Sequence, residues 1–242
     1  MRYAIADIHG GNNTFQVLLR KINFRHSDQL FLLGDYVDRG PDSKGVLNTI
    51  LELKNSGYDV KAVRGNHDEM LLRTIINDHD EFSELYYDEW GRHTLQSFET
   101  VKPGLFSSKY DLFETKAFSS FPQQHLALLE SMPYIIVESD FVFVHAGLDM
   151  STDDPINESD MISMLWSRSI SNDVTKLGGK QLVTGHTVVT LDDIIESIDS
   201  GHICLDNGAF TEMQPEMGNL VALNLDTNEL TIQPWCDSSA EY

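Results

Sequence analysis

Leu30-Phe31-Leu32-Leu33-Gly34-Asp35-Tyr36-Val37-Asp38-Arg39-Gly40 is the stretch on which the reading of this chain turns. Four apolar residues run straight into a glycine and then into two carboxylates and an arginine. A short continuous apolar run bounded by turn residues reads as a buried strand that feeds a polar loop. The same layout recurs elsewhere: Tyr3–Ala6 leads into Asp7-Ile8-His9-Gly10, and Val60–Val63 leads into Gly65-Asn66-His67-Asp68. Phe141–Val144 leads into His145-Ala146-Gly147, and Leu182–Val183 leads into Gly185-His186-Thr187.

Helical patterns lie between the first three runs. One carries Phe15, Val17, Leu18, Leu19 and Ile22 after Asn13-Thr14; the other carries Val46, Leu47, Ile50, Leu51 and Leu53 after Pro41-Asp42-Ser43. Alternation of strand and helix predicts an α/β layered core. From about 69 to 130 helix-like segments replace the strand rhythm, which predicts a helical cap inserted into a single domain spanning 1–242. Tyr134–Val137 is a further strand. After Asp192 the runs Ile194–Ile198, Ile203–Leu205, Leu220–Leu225 and Leu230–Ile232 read as an antiparallel set, and 234–242 as a frayed tail.

Bulk composition narrows the function. The 242 residues, 41% hydrophobic, suffice for one sizeable core, and the formal net charge is -21. That charge argues against a nucleic-acid or anionic-membrane partner, which needs a Lys/Arg surface. It leaves an anionic substrate open, because surface charge is screened beyond about 8 Å at physiological salt and bound divalent cations reverse the field inside a pocket. No apolar stretch is long enough to span a bilayer and the first residues lack a secretory pattern. The chain therefore reads as cytoplasmic, with Cys204 and Cys236 reduced and monomeric assembly assumed.

Each polar cluster taken alone has an ordinary reading as a turn with a capping carboxylate. Five of them, delivered at the same end of five apolar runs, point to one crevice at the carboxyl ends of adjacent strands. Oxygen and imidazole donors converging there suit a borderline divalent metal. His26, His79, His93, His125 and His202 fall by default to surface or packing roles.

The series DIHG, GDYVDRG, GNHD, VHAGL and GHT resembles the metallophosphoesterase superfamily, and within it the phosphoprotein phosphatase family of the bacterial serine/threonine type, over roughly Met1 to Ala209. The resemblance implies a calcineurin-like four-layer α/β/β/α sandwich of two mixed sheets. It implies two divalent metals, one held by Asp7, His9 and Asp35, the other by Asp35, Asn66, His145 and His186. Asp35 is then shared, and Val188 stands where broader members place a further histidine. Manganese is the first choice of metal, with iron or zinc as alternatives.

The resemblance further implies attack on phosphorus by a hydroxide shared between the metals. Arg39 and Arg168 would bind phosphate, and His67, oriented by Asp38, would protonate the leaving group. Arg64 reads as a salt bridge at the cleft edge, and Asp206 as structural support. The expected activity is that of a serine/threonine, or dual-specificity, phosphoprotein phosphatase acting on phosphorylated proteins or peptides. The alternative is a dinucleoside polyphosphate hydrolase, against which Asp38 weighs because that group commonly lacks it. A catalytically silent metal-binding scaffold is a third reading.

Overall fold

The computed structural model describes residues 1–77, 86, 90–98, 121–169, 173–210 and 216–237. Two sheets carry the architecture. The first has the strand order β3-β2-β1-β8-β9, built from β1 (Arg2–Ile5), β2 (Gln29–Leu32), β3 (Asp59–Ala62), β8 (Asn219–Asn224) and β9 (Leu230–Pro234). The second has the order β4-β5-β6-β7, from β4 (Ile135–Val137), β5 (Phe141–Val144), β6 (Gln181–Thr184) and β7 (His202–Cys204). Both sheets are mixed. β1, β2 and β3 run parallel to one another, as do β5, β6 and β7, whereas β4, β8 and β9 join antiparallel.

Side-chain alternation along the strands separates the layers. Ala4, Phe31, Leu33, Val221 and Leu223 face Phe141, Phe143, Val183 and Ile203 in a core between the sheets, where Phe31 stacks on Phe143 at 4.1 Å. The opposite face of the first sheet, through Ile5, Leu30, Leu32 and Leu220, packs on α1 (Asn12–Lys21), α2 (Ser43–Asn55), α3 (Asn66–Asn77) and α5 (Gln123–Ser131). The short α4 (Arg92–Ser97) sits against α2. The outer face of the second sheet, through Val142, Val144 and Leu182, packs on α6 (Pro155–Glu158), α7 (Met161–Trp166) and a 3-10 turn at Val174–Leu177. Three apolar interlayers make four layers, the α/β/β/α sandwich expected.

Three sequence expectations need correction. Ile194–Ile198 is not a strand: it lies in α8 (Leu191–Ile198), opened by a capping box in which Thr190 and Asp193 bond each other's backbone N–H. The spacing of Leu191, Ile194 and Ile198 buries one helix face, which a reading by apolar run alone misses. The remaining late strands are not one antiparallel set either, since β7 pairs parallel with β6 while β8 and β9 complete the other sheet. Nor does the chain fray at Pro234.

Trp235 covers Gly11 and Gly40, where an added Cβ would stand 2.3 and 2.8 Å from its ring. Asp237 is 5% exposed and accepts from the backbone N–H of Asn13 and Thr14, both at 2.9 Å, and from the Thr14 hydroxyl at 2.6 Å. The residue at the N-cap of α1, Gly11, offers no side chain, so a carboxylate more than 220 positions away caps that helix. Residues 238–242, His79 and most of the segment from 78 to 120 expected to complete the cap lie outside the described residues. No described helix is long and apolar enough to cross a membrane.

Candidate metal centre

The loops after β1 and β2 are zipped together beyond the sheet. His9 N–H donates to Asp35 O and Gly10 N–H to Tyr36 O, both at 2.9 Å, and Gly40 N–H returns to His9 O at 3.0 Å. The backbone is strained to do this. Eight described non-glycine residues have positive φ, and six of them are Asp7, His9, Asp35, Asp38, Arg39 and His186. Each left-handed residue costs about 1–2 kcal/mol, and such strain persists where the surroundings over-determine it, characteristically at functional sites. The glycines at the strand ends serve close approach as well: a Cβ on Gly65 would lie 2.2 Å from Asp35 Oδ1, and one on Gly185 would meet Asp7.

Asp68, to which no role is assigned by sequence, is the support for this geometry. Fully buried, it accepts from the N–H groups of Asp35 (2.8 Å), Tyr36 (3.0 Å) and Gly65 (2.9 Å). It thereby ties the loop after β2 to the start of α3. Its only sequence signal is its place one residue beyond His67.

Two clusters of potential metal donors share Asp35: His9, Asp35 and His67, and Asp35, His145 and His186, with the donor atoms of each within 4.8 Å of one another. His145 Nδ1–H donates to Leu33 O at 2.8 Å, which leaves the Nε2 lone pair facing Asn66 Oδ1 at 2.8 Å and Asp35 Oδ1 at 3.4 Å. His9 repeats the arrangement, with Nδ1–H on Val37 O at 2.9 Å and Nε2 facing Asp35 Oδ2 at 3.5 Å. Burial first, then the charge of Arg39 for His9, holds both imidazoles below their ordinary value and therefore neutral. Lone pairs thus point at oxygen lone pairs, an arrangement that a bound cation relieves while the imidazoles stay neutral. His186 is likewise held down to about 3 by burial and by His145, and its buried Nε2 has no hydrogen-bond partner among the described residues. The donor set fits divalent cations.

Asp7 lies behind the two clusters. Its carboxylate accepts the His186 N–H through both oxygens, at 3.1 and 3.0 Å, and belongs to neither cluster. Burial first, then the Asp206 and Asp35 charges, raise it well above the carboxylate range, so a nearby cation would favour its charged form. Burial likewise pushes Asp206 up to about 6, opposed by the Gly208 N–H and by Arg39.

His67 occurs in one cluster, yet both its ring nitrogens have partners. Nδ1 meets Asp38 Oδ2 at 2.8 Å and Nε2 meets an Arg39 guanidinium nitrogen at 3.2 Å. Burial opposes its charged form, but the Asp35 and Asp38 carboxylates outweigh burial and raise it above the ordinary value. Asp38 in turn accepts from the Tyr86 hydroxyl at 2.7 Å and the Thr94 hydroxyl at 2.5 Å. Arg39 lies with its guanidinium 4.2 Å over the Phe210 ring, which meets His9 edge-on. Phe210 is therefore part of the site, although no sequence motif marks it. Arg168 is exposed, close enough for its charge to act on His186 and Asp206. Arg64 faces away and clasps α5, donating to Leu129 O at 2.8 Å, Glu130 O at 3.0 Å and the Glu69 carboxylate at 2.7 Å.

The family model for calcineurin-like phosphoesterases matches residues 3–210. The chain belongs to that family. Two bis(5'-nucleosyl)-tetraphosphatases of the symmetrical kind are among its relatives: one from Nitrosomonas europaea, 48% identical over 147 residues, and one from Buchnera aphidicola, 40% identical over 89 residues. These matches cover 60% and 36% of this chain, and 44% and 31% of the respective relatives, so the chain spans less than half the length of the relatives it matches. A solved structure provisionally described as a diadenosine tetraphosphatase superposes with a TM-score of 0.65 at 21% identity, over 98% of this chain and 94% of that one. A cold-active protein-tyrosine phosphatase of a psychrophilic Shewanella superposes with a TM-score of 0.54 at 16% identity, over 96% of this chain and 80% of that one.

These relatives overturn the expectation of a serine/threonine protein phosphatase and of phosphorylated proteins as substrate. The physical reason is that the motifs encode the phosphoryl-transfer site and not what is attached to the phosphate. The His67–Asp38 pair, taken to weigh against the dinucleotide alternative, describes how a leaving group is protonated, and any phosphate ester or anhydride has a leaving group.

Proposed function

We propose that the chain hydrolyses dinucleoside tetraphosphates symmetrically, releasing two nucleoside diphosphates. The observation that carries the reading is the pair of donor clusters joined at Asp35 beside the His67–Asp38 pair and Arg39, in a chain whose relatives bear that activity in their names. In this reading Asp7, His9 and Asp35 hold one divalent cation and Asp35, Asn66, His145 and His186 the other. Such a pair of cations neutralises phosphate oxygens and activates water for in-line attack. Manganese is the metal of first choice, with iron or zinc as alternatives, and the cytoplasm is the compartment.

The protein's own groups do the rest. Arg39, held over Phe210 beside His67, places a bidentate guanidinium on the phosphoryl group undergoing attack. His67, oriented by Asp38 and kept above its ordinary pKa, delivers a proton to the oxygen that leaves. Arg168 contributes a second cation for the polyphosphate. An enzyme loaded with manganese and given diadenosine tetraphosphate is expected to produce ADP alone, as read by anion-exchange chromatography. Equal amounts of AMP and ATP, or an intact substrate, contradict the reading.

A further inference from the structure

A polyanionic substrate approaches a chain of net charge -21, so its affinity must draw on more than long-range attraction. The two nucleobases at its ends are the obvious resource, because every base has a π-face that can stack on an aromatic ring. Two tryptophans stand at the described margins of the site, one beside each donor cluster. Trp90 meets His67 edge-on at 6.0 Å, and Trp166 meets His186 edge-on at 6.2 Å with an interplanar angle of 86°.

They differ in what else they do. Trp90 is partly buried against the main helical core. Trp166, the last residue of α7, is 41% exposed although it is a large apolar side chain, and the exposed Arg168 follows two positions later. An exposed ring beside a cation, at the mouth of a phosphate-binding site, has the chemistry of a nucleoside phosphate subsite.

The position of the acid decides which half of the substrate lies there. The departing diphosphate leaves toward the acid His67, on the side of Trp90. The half that keeps the attacked phosphorus, equatorial to the line of attack, is left the other described margin, past His186 and Trp166. We infer that Trp166 is the stacking platform for the nucleobase of that retained nucleoside diphosphate, with Arg168 beside its phosphates. The inference rests on the dinucleoside tetraphosphate reading for which half is bound, but not for whether a base stacks.

Calorimetric titration of the manganese-loaded full chain with ADP, and separately with inorganic pyrophosphate, tests it. The ratio of ADP to pyrophosphate affinity is expected to fall about tenfold or more in Trp166→Leu, which keeps apolar bulk without an aromatic face. Trp166→Phe should retain the ratio within about threefold, since any ring stacks. Ile162→Ala, at a 57% exposed position on the same helix, should leave it at the wild-type value. An unchanged ratio in Trp166→Leu, or a wild type that binds ADP no better than pyrophosphate, overturns the platform whatever the enzyme hydrolyses. If the ratio falls as expected while diadenosine tetraphosphate is not cleaved, the platform stands and the proposed reaction fails.

Discussion

At the scale of single residues, the site divides labour between side chains that sit next to each other. Asn66 Oδ1 faces two histidines, while the adjacent His67 turns to Asp38 and Arg39. If His67 is the acid, its loss should matter in proportion to the basicity of the leaving oxygen. His67→Asn is expected to lower turnover of an alkyl phosphate by 10²-fold or more, and that of an aryl phosphate or a phosphoanhydride far less; equal losses would remove the acid role. Asp68 should act on metal binding without touching metal. Asp68→Ala frees three buried backbone N–H groups, each costing about 1–3 kcal/mol, and displaces the Asp35 loop. Weakening of manganese affinity by about 10–100-fold is expected, measured by calorimetry on protein that circular dichroism shows to be folded. The Asn66 and His67 assignments came with the motifs, but the Asp68 support and the backbone strain were not legible from the residue letters. GDYVDRG announces which side chains matter, but Asp68 becomes a support only once α3 starts beside the loop after β2, and the strained φ values of Asp7, His9 and Asp35 exist only because two loops are zipped across a parallel pair.

At the scale of elements, β1, β2, β3, β5 and β6 were readable because each is a short apolar run ending in a glycine-bearing polar cluster. α8 was not, since the run of isoleucines hid a capping box at Thr190–Asp193. The C-terminal strap was not readable either. Its contacts lie at the opposite end of the chain, so Trp235 and Asp237 carry no local pattern that a reading by periodicity detects. Asp237→Ala should uncap α1 and destabilise the protein by about 1–2 kcal/mol, seen as a lower midpoint in thermal or urea unfolding; an unchanged midpoint would show the cap to be idle. The clasp formed by Arg64 and Glu69 gives a pH dependence. Burial would raise the Glu69 carboxyl, but hydrogen bonds from Arg64, Arg73 and Tyr134 hold it below its ordinary value. Its contribution is therefore complete above the ordinary glutamate range and is lost as pH falls through the lowered value. Glu69→Gln should lower the midpoint at pH 7 and narrow the gap between mutant and wild type under strongly acidic conditions.

At the scale of the whole molecule, two mixed sheets pressed face to face bring the carboxyl ends of β1, β2, β3, β5 and β6 to one edge. The layered α/β class followed from the order of runs and helices, and the two-sheet sandwich came with the family resemblance. The substrate did not follow, because the sandwich and its motifs specify phosphoryl chemistry and leave the groups beyond the phosphate to exposed side chains such as Trp166. The net charge of -21 acts at this scale too. Long-range repulsion of an anionic substrate is relieved by salt, so kcat/KM for diadenosine tetraphosphate is expected to rise between low and physiological ionic strength. A fall would show that attraction by the centre dominates encounter.

The claim on which the account depends is that Asp35 joins two cation sites. Equilibrium titration of manganese into metal-free protein measures this directly. The wild type is expected to bind two ions, His145→Ala one, and Asp35→Ala neither with comparable affinity. Two tightly bound ions in Asp35→Ala, or a single ion in the wild type, would contradict it.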